Sequence, residues 1–408
     1  MTLASIFRRK PRLIWLLAHV VINVYYSVLI FSTNRLYGET NVVQIGESTP
    51  IFFILVLLVM SFVYFNLIVF NFSYRIFPIS FRVVPSQIEI DRIGILILVL
   101  QISFAAYSFF SGSRLAGSGA SDASLISQIW VLIPIDVIFL LYYGAYRDEK
   151  YFKYNLGVNL VSNLLRGWFG IVLTIVFIES CQLVRKRRLT FPRFLAILFA
   201  CVVAYPVLYF GKIFVRYYAF LDDVTVDGFL SQHVDVDVIS LLEIAISQIG
   251  NRIQLISSAI STYELSTELE RMVMDGNVYP FWAEGLHSLA FDRLFSEPHK
   301  LDIGQAIANI LDPFSLVENW NSNPTFIGWF FVLPYFCIFH VIYGTGLVLV
   351  SSLAFRMVSG NEISKDIFWY MVLVLLIPGW YGAFVLFTYS CVLFLIMHLL
   401  VAKFRVPR

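Results

Sequence analysis

Residues 151–188 read YFKYNLGVNLVSNLLRGWFGIVLTIVFIESCQLVRKRR, and the reading of this stretch decides the fold. From Gly167 to about Val184 it is a strong apolar run, whereas Tyr151 to Leu165 is interrupted by Asn155, Asn159 and Asn163. It closes on Arg185, Lys186, Arg187 and Arg188, with Arg193 nearby, and the chain opens on a similar cluster, Arg8, Arg9, Lys10 and Arg12. Lys and Arg prefer the cytoplasmic side of a membrane. The two clusters share one side only if the interrupted segment also crosses, as a short or tilted helix, and the sequence is read that way.

Outward from this stretch, the 408 residues are 59% hydrophobic and only 14% charged, where a soluble domain carries about 25% charge. This excludes a water-soluble enzyme and a disordered linker. A net charge of +2, with basic residues in short scattered clusters, excludes a nucleic-acid binder. A span needs roughly 20 apolar residues. Residues 13–31, 50–72, 93–111, 125–146 and 192–212 qualify, and the first, with no small-residue cleavage site after it, reads as uncleaved. The last spans, about 340–357, 367–379 and 383–402, are broken by Pro334, Gly344, Gly346 and the Pro378–Gly379 pair, which leaves room for a re-entrant segment. The expectation is an all-α polytopic membrane bundle of about ten spans with both termini cytoplasmic. Of the 29 Lys and Arg, 20 then lie inside, while Arg35, Arg114, Arg166, Lys212, Arg216, Arg252, Arg271, Arg293 and Lys300 lie outside or at the outer face.

Three regions result: membrane helices over 1–212, an extracytoplasmic helical loop over 213–325, and membrane helices over 326–408. A loop that long tends to carry function. It holds 16 acidic against five basic residues, and Val238 to Tyr263 has an amphipathic helical pattern started by Asp235 and Asp237, whose D-x-D spacing reads as capping. A folded helical cap on the outer face is expected. Cys181, Cys201, Cys337 and Cys391 all fall in apolar stretches and suggest neither a disulfide framework nor a metal site. No paired metal-ligand spacing accompanies the six histidines, so neither a metal nor another cofactor is expected.

Arg166 is the most informative position. Asn155, Asn159, Ser162 and Asn163 precede it at helical spacing, so one face of the segment is polar and points into the protein or a water-filled cavity. Snorkelling at the interface is the bland alternative; an anion ligand is the sharper one, since ionisable groups at membrane depth tend to be functional. Arg252 lies among apolar neighbours of the 238–263 pattern and needs a partner, either a carboxylate such as Glu243 or Glu264, or a phosphate. Arg216 offers the same chemistry on the same side. Asp136 fits a proton path or, more simply, a pair with a neighbour.

The arrangement of an arginine at the outer start of a span that ends in a basic cluster, followed by another span and a large loop with further arginines, resembles the Wzy-type oligosaccharide repeat-unit polymerases and the related O-antigen ligases. Arg166–Gly167 retains part of their Ser-Arg-Gly-like turn, Arg216 and Arg252 match the loop arginines in placement, and Asn323 to Gly328 with Gly344 and Gly346 is similar to the family's return to the membrane. Arg293 and Gly304 fit an Arg-x10-Gly spacing, as do Arg35 and Gly46; Trp329 stands where many members carry an acid. The resemblance implies a bacterial inner-membrane enzyme that transfers a growing glycan from undecaprenyl pyrophosphate to a lipid-linked repeat unit, metal-independent and inverting. Arg166, Arg216, Arg252 and Arg293 would bind the pyrophosphate, with Arg166 and Arg252 acting in catalysis. His287, in a mixed aromatic and polar segment with Trp282, Glu284 and Gly285 that suits sugars, would be the base ahead of His299 and His233. Its partners would be the lipid-linked oligosaccharide, the bilayer and a chain-length regulator membrane protein. Two other readings stay open, a ligase with a lipid A core acceptor and a flippase for lipid-linked sugars.

Overall fold

The computed structural model describes residues 11–76, 83–111, 125–168, 170–186, 250–251, 253–295, 300–313 and 321–401, with positions 193 and 211. Among these the architecture is helical, and the one strand-like feature is an isolated bridge between Val278 and Leu301. Six helical stretches are long and apolar enough to cross a membrane: Pro11–Thr40, Ile51–Ile76, Gln87–Ser111, Ile126–Tyr146, Pro334–Val358 and Tyr381–Val401. Rows of exposed apolar side chains such as Val21, Val28, Phe52, Val56, Val99 and Phe110 mark their outward faces, which suits a lipid solvent. The expected span at 192–212 lies outside the described residues apart from Arg193 and Gly211.

Chain order gives α1 (Pro11–Thr33), α2 (Ile51–Ile76), α3 (Gln87–Ser111), α4 (Leu125–Leu132), α5 (Ile135–Tyr146), α6 (Phe152–Leu165) and α7 (Gly170–Arg185). The loop region holds α8 (Ile256–Glu264), α9 (Ser266–Met274), α10 (Leu286–Phe295) and α11 (Ile303–Leu311). Then come α12 (Gly328–Val332), α13 (Cys337–Val358), α14 (Glu362–Met371, extended by a π-helical turn to Leu376) and α15 (Tyr381–Val401).

The deciding stretch forms a helical hairpin. α6 ends at Arg166, Gly167 turns the chain with φ +75°, a conformation that glycine adopts without a Cβ clash, and α7 runs back. At its far end Arg185 binds Asp366 on α14, and Arg12 at the start of α1 reaches the same carboxylate, its Nε at 3.1 Å. The beginning of α1 and the end of α7 therefore meet at one end of the bundle, the basic end, which also gathers the Arg147–Glu179 pair and Arg356 against Ser73 O. At 1.5 Å per residue the 14 and 16 residues of α6 and α7 extend only about 21 and 24 Å. That is less than a hydrocarbon core of about 30 Å, and these two helices are shorter than the six long apolar stretches.

At the opposite end, the described part of the expected cap begins at residue 250 and packs against the spans. The single amphipathic helix read over Val238–Tyr263 is interrupted: Gln254 and Leu255 leave the helix, and Asn23 Oδ1, buried in α1, accepts from Leu255 N (2.7 Å) and Ile256 N (2.9 Å) to start α8. Ile256, Ala259 and Ile260 are fully buried, so α8 is inserted between spans rather than laid over them. An asparagine at membrane depth in α1 is thereby explained as a helix cap supplied by another element. Glu264 binds Gly46 N (3.2 Å) and Thr49 Oγ1, fastening the end of α8 to the loop between α1 and α2.

Candidate functional site

Arg166 lies inside the bundle. Its Nη2 donates to Asp136 Oδ2 at 2.7 Å, its Nε to Ser162 O at 3.2 Å, and its guanidinium covers the Phe104 ring at 4.7 Å. Phe104 precedes the last residue of α3 by seven positions, and Asp136 is ten residues from either end of the 126–146 stretch. The expected polar stripe on α6 is present, and Asn155, Asn159, Ser162 and Asn163 are all buried. Its purpose is the carboxylate: Asn159 and Asn163 donate to Asp136 Oδ1 at 3.1 and 3.0 Å, while Asn155 bridges Gln101 (2.7 Å) and Gly94 O (2.9 Å). Asp136 pairs with a neighbour, as the simpler reading held. Arg166, expected as an outer-face anion ligand, forms an internal pair in which a carboxylate, a carbonyl and a ring already answer its guanidinium. Arg216 and Arg252 lie outside the described residues. Arg293 is placed on α10, its side chain outside them, and His233 and His299 are outside them as well.

His287 is exposed at the start of α10, where its Nε2 donates to Trp282 O at 2.9 Å. It lines neither of the two cavities at this end. Three residues earlier, Glu284 is buried at 3% exposure and faces a cavity of about 360 Å³ with Tyr279, Asp302, Asn321 and Trp380. Glycines 285, 304, 379 and 382 supply backbone for the remaining wall. Local bonds build it. Tyr279 N donates to Leu301 O (2.9 Å) and Leu301 N to Asn277 O (3.1 Å), which brings Asp302 and α11 beside Glu284. Ile303 N then donates to Glu284 Oε1 at 3.0 Å. The other side is set where Thr325 N and Phe326 N bond Pro378 O and Ile377 O, both at 2.8 Å. Gly379, at φ +81°, lies so close to Thr325 that a Cβ there would meet its backbone at 2.7 Å.

Burial is the main cause that pushes the Glu284 carboxyl well above the ordinary carboxylate range, and Asp302 adds to it. The Ile303 and Gly382 amides oppose the shift. No cation among the described residues pairs with Glu284. A carboxyl held this way keeps its proton to higher pH than an exposed one, which suits acid–base chemistry. Its sequence signal was faint, an acid among Trp282, Ala283 and Gly285 that served only as surroundings for His287.

A second, larger cleft of about 1150 Å³ lies where the segment after α1 meets residues 251–258. Six carboxamides line it, Asn34, Asn41, Gln44, Asn251, Gln254 and Asn323, together with one cation, Arg35, and one anion, Glu39. Arg35 is exposed. Asn323 borders this cleft while Asn321 and Pro324 border the Glu284 cavity, so one short segment separates the two. Among the described residues no group of three or more His, Cys, Asp or Glu has metal-holding geometry. No protein-family model, curated protein or solved structure matches the chain.

Proposed function

We propose that the chain is a polysaccharide polymerase that joins oligosaccharide repeat units carried on undecaprenyl pyrophosphate at the outer face of the bacterial inner membrane, with both termini in the cytoplasm. The observation that carries this reading is the Glu284 cavity. It combines a buried carboxyl, a second acid, an indole and an amide at the end of the bundle opposite the meeting of Arg12 and Arg185 on Asp366, and positive-inside bias supports reading that end as extracytoplasmic. In the reaction the acceptor hydroxyl oxygen attacks the donor anomeric carbon, the bond to pyrophosphate breaks with inversion, and the lipid pyrophosphate leaves with the electron pair. Glu284, as carboxylate, takes the hydroxyl proton; this replaces His287 as the base. Arg216, Arg252 and Arg293 are the cations proposed to meet the leaving pyrophosphate, whose growing charge guanidinium groups stabilise without a metal.

Deleting the gene and separating the surface polysaccharide on a gel tests the reading. A ladder that collapses to core plus one repeat is the expected result. Complete loss of capped core assigns a ligase instead, and an unchanged ladder defeats both.

A further inference from the structure

We propose that the carboxamide-lined cleft binds an uncharged stretch of the growing glycan and thereby sets polymer length from within this chain. The proposal rests on the polymerase reading and adds a substrate class and a subsite to it. A carboxamide presents a fixed acceptor oxygen beside two donor hydrogens, which matches hydroxyls that both donate and accept. Six of them line the cleft; the Gln254 amide is spent on Tyr37 O and Ser257 N, which leaves five facing a ligand, with Tyr37 as a ring on which a sugar face can lie. The single cation and single anion oppose each other in sign, so the cleft offers no strong field for a polyanion. Its apolar lining is slight, Leu36, Val42 and Val43 among polar neighbours, which leaves no channel for a lipid tail.

Size and position agree with this. At about 1150 Å³ the cleft exceeds the roughly 300–1000 Å³ of a pocket for a single small ligand. The Asn321–Pro324 segment borders both spaces, so a glycan whose end occupies the Glu284 cavity can continue into the cleft without crossing the bundle. A chain held at a second subsite returns to the reaction centre at high effective concentration between additions, which favours elongation over release.

The test uses Asn41→Ala with Gln44→Ala in the full-length protein, since both side chains are exposed and their removal leaves the core untouched. Surface polysaccharide is run on a gel beside an immunoblot for protein abundance. Each lost hydrogen-bonding pair weakens retention by roughly two- to tenfold, so the ladder persists while its modal length falls. Asn41→Asp, which keeps the size but loses the donor, shortens the ladder too. A ladder of ordinary length in the double variant overturns the cleft proposal alone and places length control elsewhere. Loss of the whole ladder at normal abundance also overturns it, because the cleft then serves the chemistry itself. An unchanged ladder on gene deletion sinks the polymerase reading beneath it.

Discussion

Arg166 and Glu284 are both ionisable side chains buried in the same bundle, yet the protein treats them in opposite ways. Arg166 meets a carboxylate at 2.7 Å, and two asparagines hold the other oxygen of that carboxylate. Glu284 meets backbone amides, a neighbouring acid and a cavity. Burying a charge costs free energy that a well-placed opposite charge offsets, so the first arrangement is complete and holds helices together. The second stays incomplete until something enters the cavity. Depth in the membrane is thus a weaker guide to function than whether a buried group is already answered.

The sharpest way to break this contrast is Glu284→Gln. Under the proposed polymerase reading, losing this proton acceptor lowers transfer by about 10²–10⁴-fold, and polymer formation in cells or vesicles measures it while protein abundance stays level. The wild-type rate rises with pH through a value above the ordinary carboxylate range of about 4.3, because only the ionised form accepts the proton. Stability carries the opposite sign. A carboxyl whose folded value is raised stabilises the fold fully below the unfolded value, and this is lost as pH rises through the folded one, so Glu284→Gln flattens thermal stability against pH.

The next test concerns the answered pair. Asp136→Ala leaves the Arg166 guanidinium buried without its carboxylate and costs about 3 kcal/mol, toward the lower end for buried pairs because the Asp136 side chain is 32% exposed. Arg166→Ala costs a similar amount, and the double variant costs clearly less than the two together, as melting in detergent reads out. If instead Arg166→Ala leaves stability alone and abolishes transfer, Arg166 is a ligand for substrate and the contrast fails.

A smaller effect is expected at the wall of the cavity. Gly379→Ala forces a Cβ to within 2.7 Å of Thr325 at a backbone angle that L-residues avoid, a cost of about 1–2 kcal/mol from the conformation alone. Thr325 carries positive φ as well, so the two turns cannot relax independently. The cavity narrows, and transfer falls further than the loss of folded protein explains.

How much of this was legible in the sequence follows from distance along the chain. The asparagines of α6 recur at four-residue spacing, so their shared buried face was readable, and the basic residues flanking α1 and α7 pointed to the end where Arg12 and Arg185 meet. Asp136, the reason for that face, stands 23 to 30 residues away, and periodicity within one helix carries no information about which acid lies opposite. The pairing of Asn23 with α8 spans 232 residues and was likewise invisible. Glu284 was missed for a different reason: an acid in an acid-rich loop has no distinctive pattern, and what singles it out is burial against glycine backbone.

His287 supplies the finest test, because it stands three residues from Glu284 in opposite surroundings. The imidazole is exposed, uses Nε2 to hold Trp282 O, and faces neither cavity, so any proton it takes goes to solvent. His287→Ala removes one exposed hydrogen bond, worth about 0.5–1.5 kcal/mol at most, and leaves transfer within about twofold of wild type. A hundredfold loss with the fold intact would move the proton acceptor three residues along the chain, from the buried carboxyl back to the exposed ring, and would make burial the wrong criterion for finding it.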